Sequence, residues 1–124
     1  MLLRRVESFV PLATNLCSQV SKENRHVSLI FRQNRLISVG TNDEKPHTET
    51  RRRGYYSEVP HSELAAFMKV PYTQRDTGLV LANYRVNRHG NLRMSKPCSR
   101  CLPWCLEVFK EIWYTNDAGI IQLK

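Results

Sequence analysis

Two short polar motifs, each at the predicted start of a helix, put the strongest constraint on how this chain can fold. The first is HSE at residues 61–63, which follows Pro60, and the second is PCSRC at residues 97–101. About 36 residues separate them, and the apolar run GLVLANYRV between them is typical of a buried strand. A fold in which the two helix starts face each other would bring together one imidazole, one carboxylate and two thiols.

The thiols and the imidazole form a candidate metal site. Cys98 and Cys101 are two residues apart at a predicted helix start, where both sulfurs can point to the same side and thiolates are favoured. With His61 they supply three ligands of the kinds that bind zinc, which leaves the fourth position open for water. Cys105, one helical turn after Cys101, could supply a fourth sulfur and close the site, or could be a buried thiol.

Glu63 gives the candidate site a catalytic interpretation. A carboxylate two residues from the ligand histidine can take a proton from zinc-bound water and return it to the substrate. HxE followed by PCxxC is the signature of zinc deaminases, in which the glutamate acts as general acid and base. Either half alone is a weak signal, since a capped helix start or a CxxC pair is common. The two halves in this order favour a deaminase.

On these motifs the chain resembles the cytidine deaminase-like superfamily over nearly its whole length. The resemblance implies an α/β fold of three layers, with a five-stranded mixed sheet, about three helices and the last two strands antiparallel. The two metal-bearing helices lie side by side on one face in that family. The element order read from periodicity agrees with this expectation.

The resemblance also implies a role for each site residue. His61, Cys98 and Cys101 match the ligands of one zinc ion with a bound water, and Glu63 matches the proton shuttle. Cys105 matches no ligand position, which favours the buried thiol. Three further positions match substrate contacts: Asn42 for the sugar, the backbone N–H groups of Ser62 and Glu63 for the base carbonyl, and the Ser95 carbonyl for the departing amino group.

The length of the chain predicts one domain over residues 1–124, large enough for a single core and too small for two. A proline at position 11 should kink or shorten the first helix. The last two strands should pair antiparallel, because a parallel return would need a dozen or more residues. The predicted elements are a helix over 6–20, a hairpin over 26–40 turning at 33–34, a long loop over 42–60, a helix over 61–70, a strand over 78–86, a helix over 98–110, and two strands around a turn at 116–119.

The charge of the chain points to a polyanionic partner. The formal net charge is +8 and the isoelectric point is near 9.7, which favours nucleic acid, although a basic surface that serves solubility is the alternative. Two basic clusters lie in the loops beside the motifs. The predicted nucleic-acid contacts are Lys45, Arg51, Arg52, Arg53, Arg85, Arg88, Arg93, Lys96 and Arg100. The aromatic residues Tyr55, Tyr56, Tyr84 and Trp104 are candidates for stacking on unpaired bases, and each also fits a core position.

These features predict a deaminase that converts cytosine to uracil in DNA, single- or double-stranded. Adenine is the alternative base, and cytosine is favoured because most of the superfamily uses it. The antiparallel ending and the histidine at position 61 resemble small DNA cytosine deaminases, and GTNDEKPH and SKPCSRC resemble phage-type deaminase-like proteins. The alternatives are a deaminase of free deoxycytidine or deoxycytidylate in pyrimidine salvage, and a non-catalytic zinc domain that binds nucleic acid.

The remaining features bear on where the chain works. No apolar run is long enough for a signal peptide or for the ~18 residues of a membrane span, so no membrane is expected. A cytoplasmic protein of phage or bacterial origin follows, and a monomer is the expected state. In a reducing compartment, four cysteines are better explained as ligands or buried thiols than as disulfides.

Overall fold

A computed structural model describes residues 1–20, 25–55 and 59–124, and three of its α-helices span seven or more residues. Within those ranges no helix is long and apolar enough to cross a membrane. The elements are α1 (Leu3–Ser8), α2 (Val10–Ser18), β1 (His26–Arg32), β2 (Arg35–Thr41), α3 (Thr48–Arg52), α4 (Ser62–Met68), β3 (Leu79–Arg85), α5 (Leu102–Val108), β4 (Glu111–Asn116) and β5 (Gly119–Gln122), with a 3₁₀ turn at Tyr72–Gln74.

The five strands form one mixed sheet in the order β2-β1-β3-β4-β5. β3 pairs with β4 in parallel, and every other neighbouring pair is antiparallel. The predicted α/β fold with a five-stranded mixed sheet and an antiparallel final pair is therefore confirmed. β2 and β3 both run antiparallel to β1, so the carboxyl ends of β2 and β3 lie beside the start of β1, at the same end of the strands.

Helices cover both faces of the sheet. We call the face that packs against α4 and α5 the site face, and the face that packs against α1 and α2 the rear face. The buried site-face core includes Ile30, Leu64, Phe67, Leu79, Leu81, Cys105, Phe109 and Ile112. The buried rear-face core includes Val6, Ala13, Cys17, Val27, Leu29, Phe31, Val80, Ala82, Tyr84 and Trp113. Because strand side chains alternate between faces, β1 and β3 contribute to both cores.

Two local predictions agree with the structure. Gln33 and Asn34 turn the first hairpin with φ values of 53° and 61°, the left-handed pair that a two-residue hairpin turn requires. The predicted first helix is interrupted at Phe9 and continues as α2, with Pro11 in the first turn of α2. Proline is tolerated there because the first N–H groups of a helix have no intrahelical acceptor.

Two predicted boundaries were wrong. The loop over 42–60 is not without secondary structure, because it contains α3, whose first turn is capped by the His47 ring accepting from the Glu49 N–H. The helix predicted to begin at Cys98 begins at Leu102, with Cys101 as its N-cap. Pro103 in the first turn of α5 explains that start, since proline favours the first helical positions.

α4 packs on the sheet through direct contact with the backbone of β2. A Cβ atom at Gly40 would lie 2.3 Å from the Ala66 nitrogen and 2.4 Å from the Ser62 carbonyl oxygen, so only glycine fits there. The Ser38 hydroxyl donates to the Ala66 carbonyl at 2.6 Å. This contact sets the height of α4 above the sheet, and with it the position of the first motif.

Candidate metal centre and active site

The two motifs meet in a cluster of three possible metal ligands. The ligand atoms of His61, Cys98 and Cys101 all lie within 4.8 Å of one another. His61 Nδ1 is 3.4 Å from the Cys98 sulfur and 3.5 Å from the Cys101 sulfur. Tetrahedral zinc with ordinary Zn–N and Zn–S bond lengths would place such nitrogen and sulfur atoms about 3.6 Å apart. The cluster can therefore hold a metal ion, and its donors and spacing fit zinc.

The ends of two helices position these ligands. His61 is the N-cap residue of α4, and Cys101 is the N-cap residue of α5. Cys98 lies one turn earlier, where its carbonyl accepts a hydrogen bond from the Leu102 N–H at 2.8 Å. His61 and Cys98 are exposed, whereas Cys101 is fully buried. The cluster thus has one anchored sulfur and two ligands facing solvent.

Among the residues that the structure describes, no fourth ligand belongs to this cluster. Cys105 lies in the site-face core beside Phe109, where burial raises the pKa of its thiol and the nearby Glu63 raises it further. Burial likewise raises the pKa of the Cys101 thiol. A metal that binds here must displace the Cys101 proton, so metal affinity depends on pH.

The cluster opens into a pocket of about 250 Å³. Its lining residues are His26, Asn42, His61, Ser62, Glu63, Lys96 and Cys98. The pocket lies where three neighbouring strand ends meet. It is lined by residues from the start of β1, the end of β2 and the loop after β3. A larger hollow of about 660 Å³ lies near α1 and the β1–β2 turn and contains none of these residues.

Glu63 sits in the pocket wall next to the cluster without being a member of it. Its carboxylate is held at both oxygens: Oε1 accepts from the Ser62 hydroxyl at 3.1 Å, and Oε2 accepts from Asn83 Nδ2 at 3.2 Å. The side chain is 6% exposed. Its orientation is therefore fixed by neighbouring polar groups.

The partners of Glu63 belong to a buried polar network. Ser28 Oγ donates to Asn83 Oδ1 at 2.6 Å and lies 2.8 Å from Ser62 Oγ. Asn83 Nδ2 also donates to the Ser95 carbonyl at 3.1 Å. All these side chains are buried on the site face. The network connects β1, β3, α4 and the loop that leads to Cys98.

Sequence reasoning missed Asn83 and Ser28. Each was a polar residue inside an otherwise apolar strand, in LVLANYR and HVSLIFR, and that was the available signal. A buried polar side chain needs a partner, so both residues called for explanation. Their connection to Glu63 depends on the pairing of β1 with β3, in which Ser28 is opposite Asn83.

The predicted substrate contacts lie at or near the pocket. Asn42 and Ser62 line it, and Asn42 Oδ1 accepts from the His26 backbone N–H at 3.1 Å. Ser62 and Glu63 are the first residues of α4, where backbone N–H groups have no intrahelical acceptor. Ser95 is buried behind the pocket, and its carbonyl already accepts from Asn83. Their roles toward a substrate stay predictions.

His26 is a pocket residue that sequence reasoning also missed. It begins β1 and lines the pocket together with His61. Burial lowers the pKa of His26 to about 4, and electrostatic interactions with the nearby Arg85 and His61 side chains contribute in the same direction. The imidazole is therefore neutral at physiological pH. A histidine before a strand gave no pattern from which this position could be inferred.

The predicted nucleic-acid contacts do not all lie at the pocket. Lys96 lines it, and Lys45 lines a separate hollow beside Pro60. Arg51, Arg88 and Arg100 are exposed, and Arg85 is half-buried at the end of β3. The other three arginines contact acids: Arg52 and Arg53 lie 3.8 Å and 3.1 Å from Glu49, and Arg93 lies 3.8 Å from Asp117.

The aromatic residues suggested for stacking are mostly internal. Tyr84 is fully buried on the rear face, where its hydroxyl donates to the Val6 carbonyl at 2.7 Å, so that suggestion was wrong. Tyr55 is 7% exposed and Trp104 is half-buried, both in the site-face layer. Tyr56 lies outside the described residues.

The fold and the site together define an α/β protein with a three-ligand candidate metal centre beside a held carboxylate. No protein-family model matches the chain, and no curated protein matches it significantly. The chemistry assigned to the site therefore rests on its geometry.

Proposed function

We propose that this chain is a zinc-dependent hydrolytic deaminase that converts cytosine to uracil in DNA. The observation that carries the proposal is the position of Glu63, which lines the same pocket as the candidate ligands His61 and Cys98 and is not itself a member of the ligand cluster. Zinc deaminases place a non-ligand glutamate in this way, as general acid and base.

The reaction consumes one water and releases one ammonia. A bound zinc ion would lower the pKa of a coordinated water toward 7. Glu63 would take a proton from that water, deliver it to the ring nitrogen, and then help protonate the leaving amino group. Asn83 and Ser62 hold the two carboxylate oxygens, so Glu63 would move protons without turning away from the pocket.

The pocket suits a single base. Its volume of about 250 Å³ is below the range of about 300–1,000 Å³ typical of pockets for drug-sized ligands. Asn42 would contact the sugar, the Ser62 and Glu63 N–H groups the base carbonyl, and the Ser95 carbonyl the departing amino group.

The surrounding charge favours a polymer over a free nucleotide. A single phosphate needs one or two cations, whereas a strand offers a row of phosphates that release counterions along a basic rim. Lys96 would be the cation nearest the reacting base. The exposed Arg51, Arg88 and Arg100 would extend the rim.

The deciding experiment offers the zinc-loaded chain four substrates in separate reactions: single-stranded DNA, double-stranded DNA, deoxycytidine and deoxycytidylate. Uracil and ammonia are measured, and the expected product is uracil in DNA. Turnover of the free nucleoside or nucleotide alone would identify a salvage enzyme instead. Zinc binding with no product from any of the four would leave a non-catalytic zinc domain.

Glu63→Ala is the matched control. It should abolish turnover while zinc remains bound at one ion per chain, because the three ligands are unchanged. Unchanged turnover in this variant would contradict the proposed role of Glu63.

A further inference from the structure

We infer that Tyr55 is a positioning residue for the metal centre. Its hydroxyl donates a hydrogen bond to the Cys101 sulfur, and Trp104 orients the hydroxyl for this contact. The inference rests on the metal site of the proposed function and does not depend on the substrate. Neither residue belongs to the HxE or PCxxC motif.

Tyr55 contacts two of the three ligands. Its hydroxyl oxygen is 2.8 Å from the Cys101 sulfur, and its ring packs edge-on against the His61 ring at 4.6 Å between centroids. Cys101 is fully buried and Tyr55 is 7% exposed, so the hydroxyl and the sulfur meet away from solvent. One side chain thus touches both the first motif and the second.

Trp104 and metal binding together set the direction of this hydrogen bond. An indole N–H can only donate, and Trp104 Nε1 donates to the Tyr55 hydroxyl oxygen at 3.0 Å. With that oxygen already accepting, the hydroxyl proton is free to point at sulfur. A metal-bound thiolate carries no proton and can only accept a hydrogen bond. In the metal-loaded site, Trp104 therefore donates to Tyr55, and Tyr55 donates to Cys101.

The indole is itself held in place. Trp104 packs against Phe67 and Phe109 at centroid distances of 5.7 Å and 6.1 Å. The Arg53 guanidinium covers the indole at 5.1 Å from the ring centroid. Arg53 and Trp104, both considered above as nucleic-acid contacts, are thereby tied to the support of the metal site.

Backbone geometry brings Tyr55 to this place. Gly54 precedes it with φ +86°, a left-handed conformation that glycine adopts without strain, and a Cβ there would lie 3.2 Å from Arg100 Nη1. The chain turns at this glycine after α3 and directs Tyr55 under the cluster. The position of Tyr55 therefore follows from the fold of the long loop.

The expected consequence is tighter metal binding. A hydroxyl that donates to a thiolate stabilises the charge on sulfur and fixes its direction, and loss of such outer-shell partners typically costs about 10–100-fold in metal affinity. Hydrogen bonding also lowers the energy of the sulfur lone pair. Removal of this hydrogen bond should shift the sulfur-to-cobalt charge-transfer band of the Co²⁺-loaded chain to longer wavelength.

The test compares Tyr55→Phe with Tyr84→Phe. Both substitutions remove one buried tyrosine hydroxyl and its hydrogen bond, but Tyr84 lies on the rear face and donates to Val6. Zinc affinity is measured by competition with a chromophoric chelator, cobalt spectra are recorded, and circular dichroism checks the fold. We expect about tenfold weaker zinc binding and a red-shifted band for Tyr55→Phe, with neither change for Tyr84→Phe.

Four results would overturn the inference. Tyr55→Phe could match the original chain in affinity and spectrum, or both variants could lose affinity equally, which would show only a general loss of stability. If Tyr55→Phe does not fold, Trp104→Phe decides, and an unchanged cobalt band in it counts against the inference. An original chain that binds neither metal would overturn the proposed function as well, whereas the first two results leave that function intact.

Discussion

The two faces of the central strands carry different kinds of residue. On β1, Val27, Leu29 and Phe31 point to the rear face, while Ser28 and Ile30 point to the site face. β3 shows the same contrast, because Asn83 on the site face follows directly after Ala82 on the rear face. A single strand therefore serves an apolar core on the rear face, and on the site face it serves both an apolar core and a polar network.

The contrast shows what the site requires of the fold. Burying a polar group is costly unless it is hydrogen-bonded, and a fully paired network fixes one arrangement of its members. The Ser28 hydroxyl donates to Asn83, while Asn83 and the Ser62 hydroxyl donate to Glu63. Both faces supply apolar support to the sheet, and we interpret the site-face network as the part that fixes the carboxylate.

The largest expected effect tests how α4 is attached to the site face of the sheet. Gly40→Ala would place a methyl group 2.3 Å from the Ala66 nitrogen, so α4 must move or the sheet must distort. We expect a loss of about 3 kcal/mol or more in the free energy of unfolding, measured in urea, together with loss of zinc binding because His61 moves with α4.

Gly78→Ala is the control for that variant. A Cβ there would meet only the Asp76 side chain, at 3.2 Å, and a side chain can move aside. Equal stability of the two alanine variants would show that the contact between α4 and β2 does not hold the site face.

The second prediction compares substitutions on the two faces of β3. Asn83→Ala removes the partner of a Glu63 oxygen and of the Ser95 carbonyl, and should cost about 2–3 kcal/mol because buried groups lose their hydrogen bonds. Turnover of the DNA substrate should fall about 100-fold as Glu63 loses its fixed position.

Val80→Ala on the rear face of the same strand should cost about 2 kcal/mol and leave turnover of the folded protein unchanged. Urea unfolding and steady-state kinetics measure the two quantities for each variant. A parallel fall of turnover in both variants would remove the distinction between the faces.

The third prediction concerns pH. His26 has a pKa of about 4 in the folded chain, below its ordinary value near 6.5, so the unfolded chain takes up the proton at higher pH. The free energy of unfolding should therefore be nearly unaffected by His26 above about pH 7.5 and fall as pH drops toward 4, by about 2 kcal/mol at pH 5. The measurement uses chelator-treated protein, since metal binding has its own pH dependence.

His26→Asn should reduce this loss between pH 7 and pH 5. Val27→Ala, one residue along β1 and facing the rear, should lower stability equally at both pH values. An undiminished pH effect in His26→Asn would assign it to other groups.

The smallest expected effect concerns the surface. Lys96→Ala should weaken binding of single-stranded DNA several-fold and reduce the salt slope of the logarithm of affinity by about one, as for one lost phosphate contact. Arg4→Ala removes an equal charge near α1, away from the pocket, and should change neither. Equal effects of both variants would mean that the net charge, and not the site face, binds DNA.

Much of the fold could be predicted because its signals are local. Alternation predicted the hairpin and a continuous apolar run predicted β3. Pro11 marked the break between α1 and α2, and the short connection at the end required an antiparallel pair. The start of α5 and the presence of α3 were not predicted, because the signals of Pro103 in the first turn of α5 and of His47 capping α3 compete with stronger signals nearby.

The residues of the site also divide into those that local sequence signals identified and those that they did not. His61, Cys98 and Cys101 could be identified because ligand chemistry demands particular residue types at particular spacings. Asn83, His26 and Tyr55 could not be assigned their places, because their contacts depend on strand pairing and on the fold of the long loop. Arg53 shows the opposite error, a charge that looked free in the sequence and lies over Trp104 in the fold.

The sequence by itself determined the ligand types, the glutamate beside them and the alternation that builds a sheet, because these depend on side-chain chemistry and on separations of a few residues. Only the tertiary structure decided that the two motifs meet within 4.8 Å, and that three ligands gather with Cys105 apart from them. It also decided that Tyr55 and Asn83 support the site. Those contacts join residues 20 to 46 positions apart, and packing of α4 and α5 on one face of the sheet brings them together.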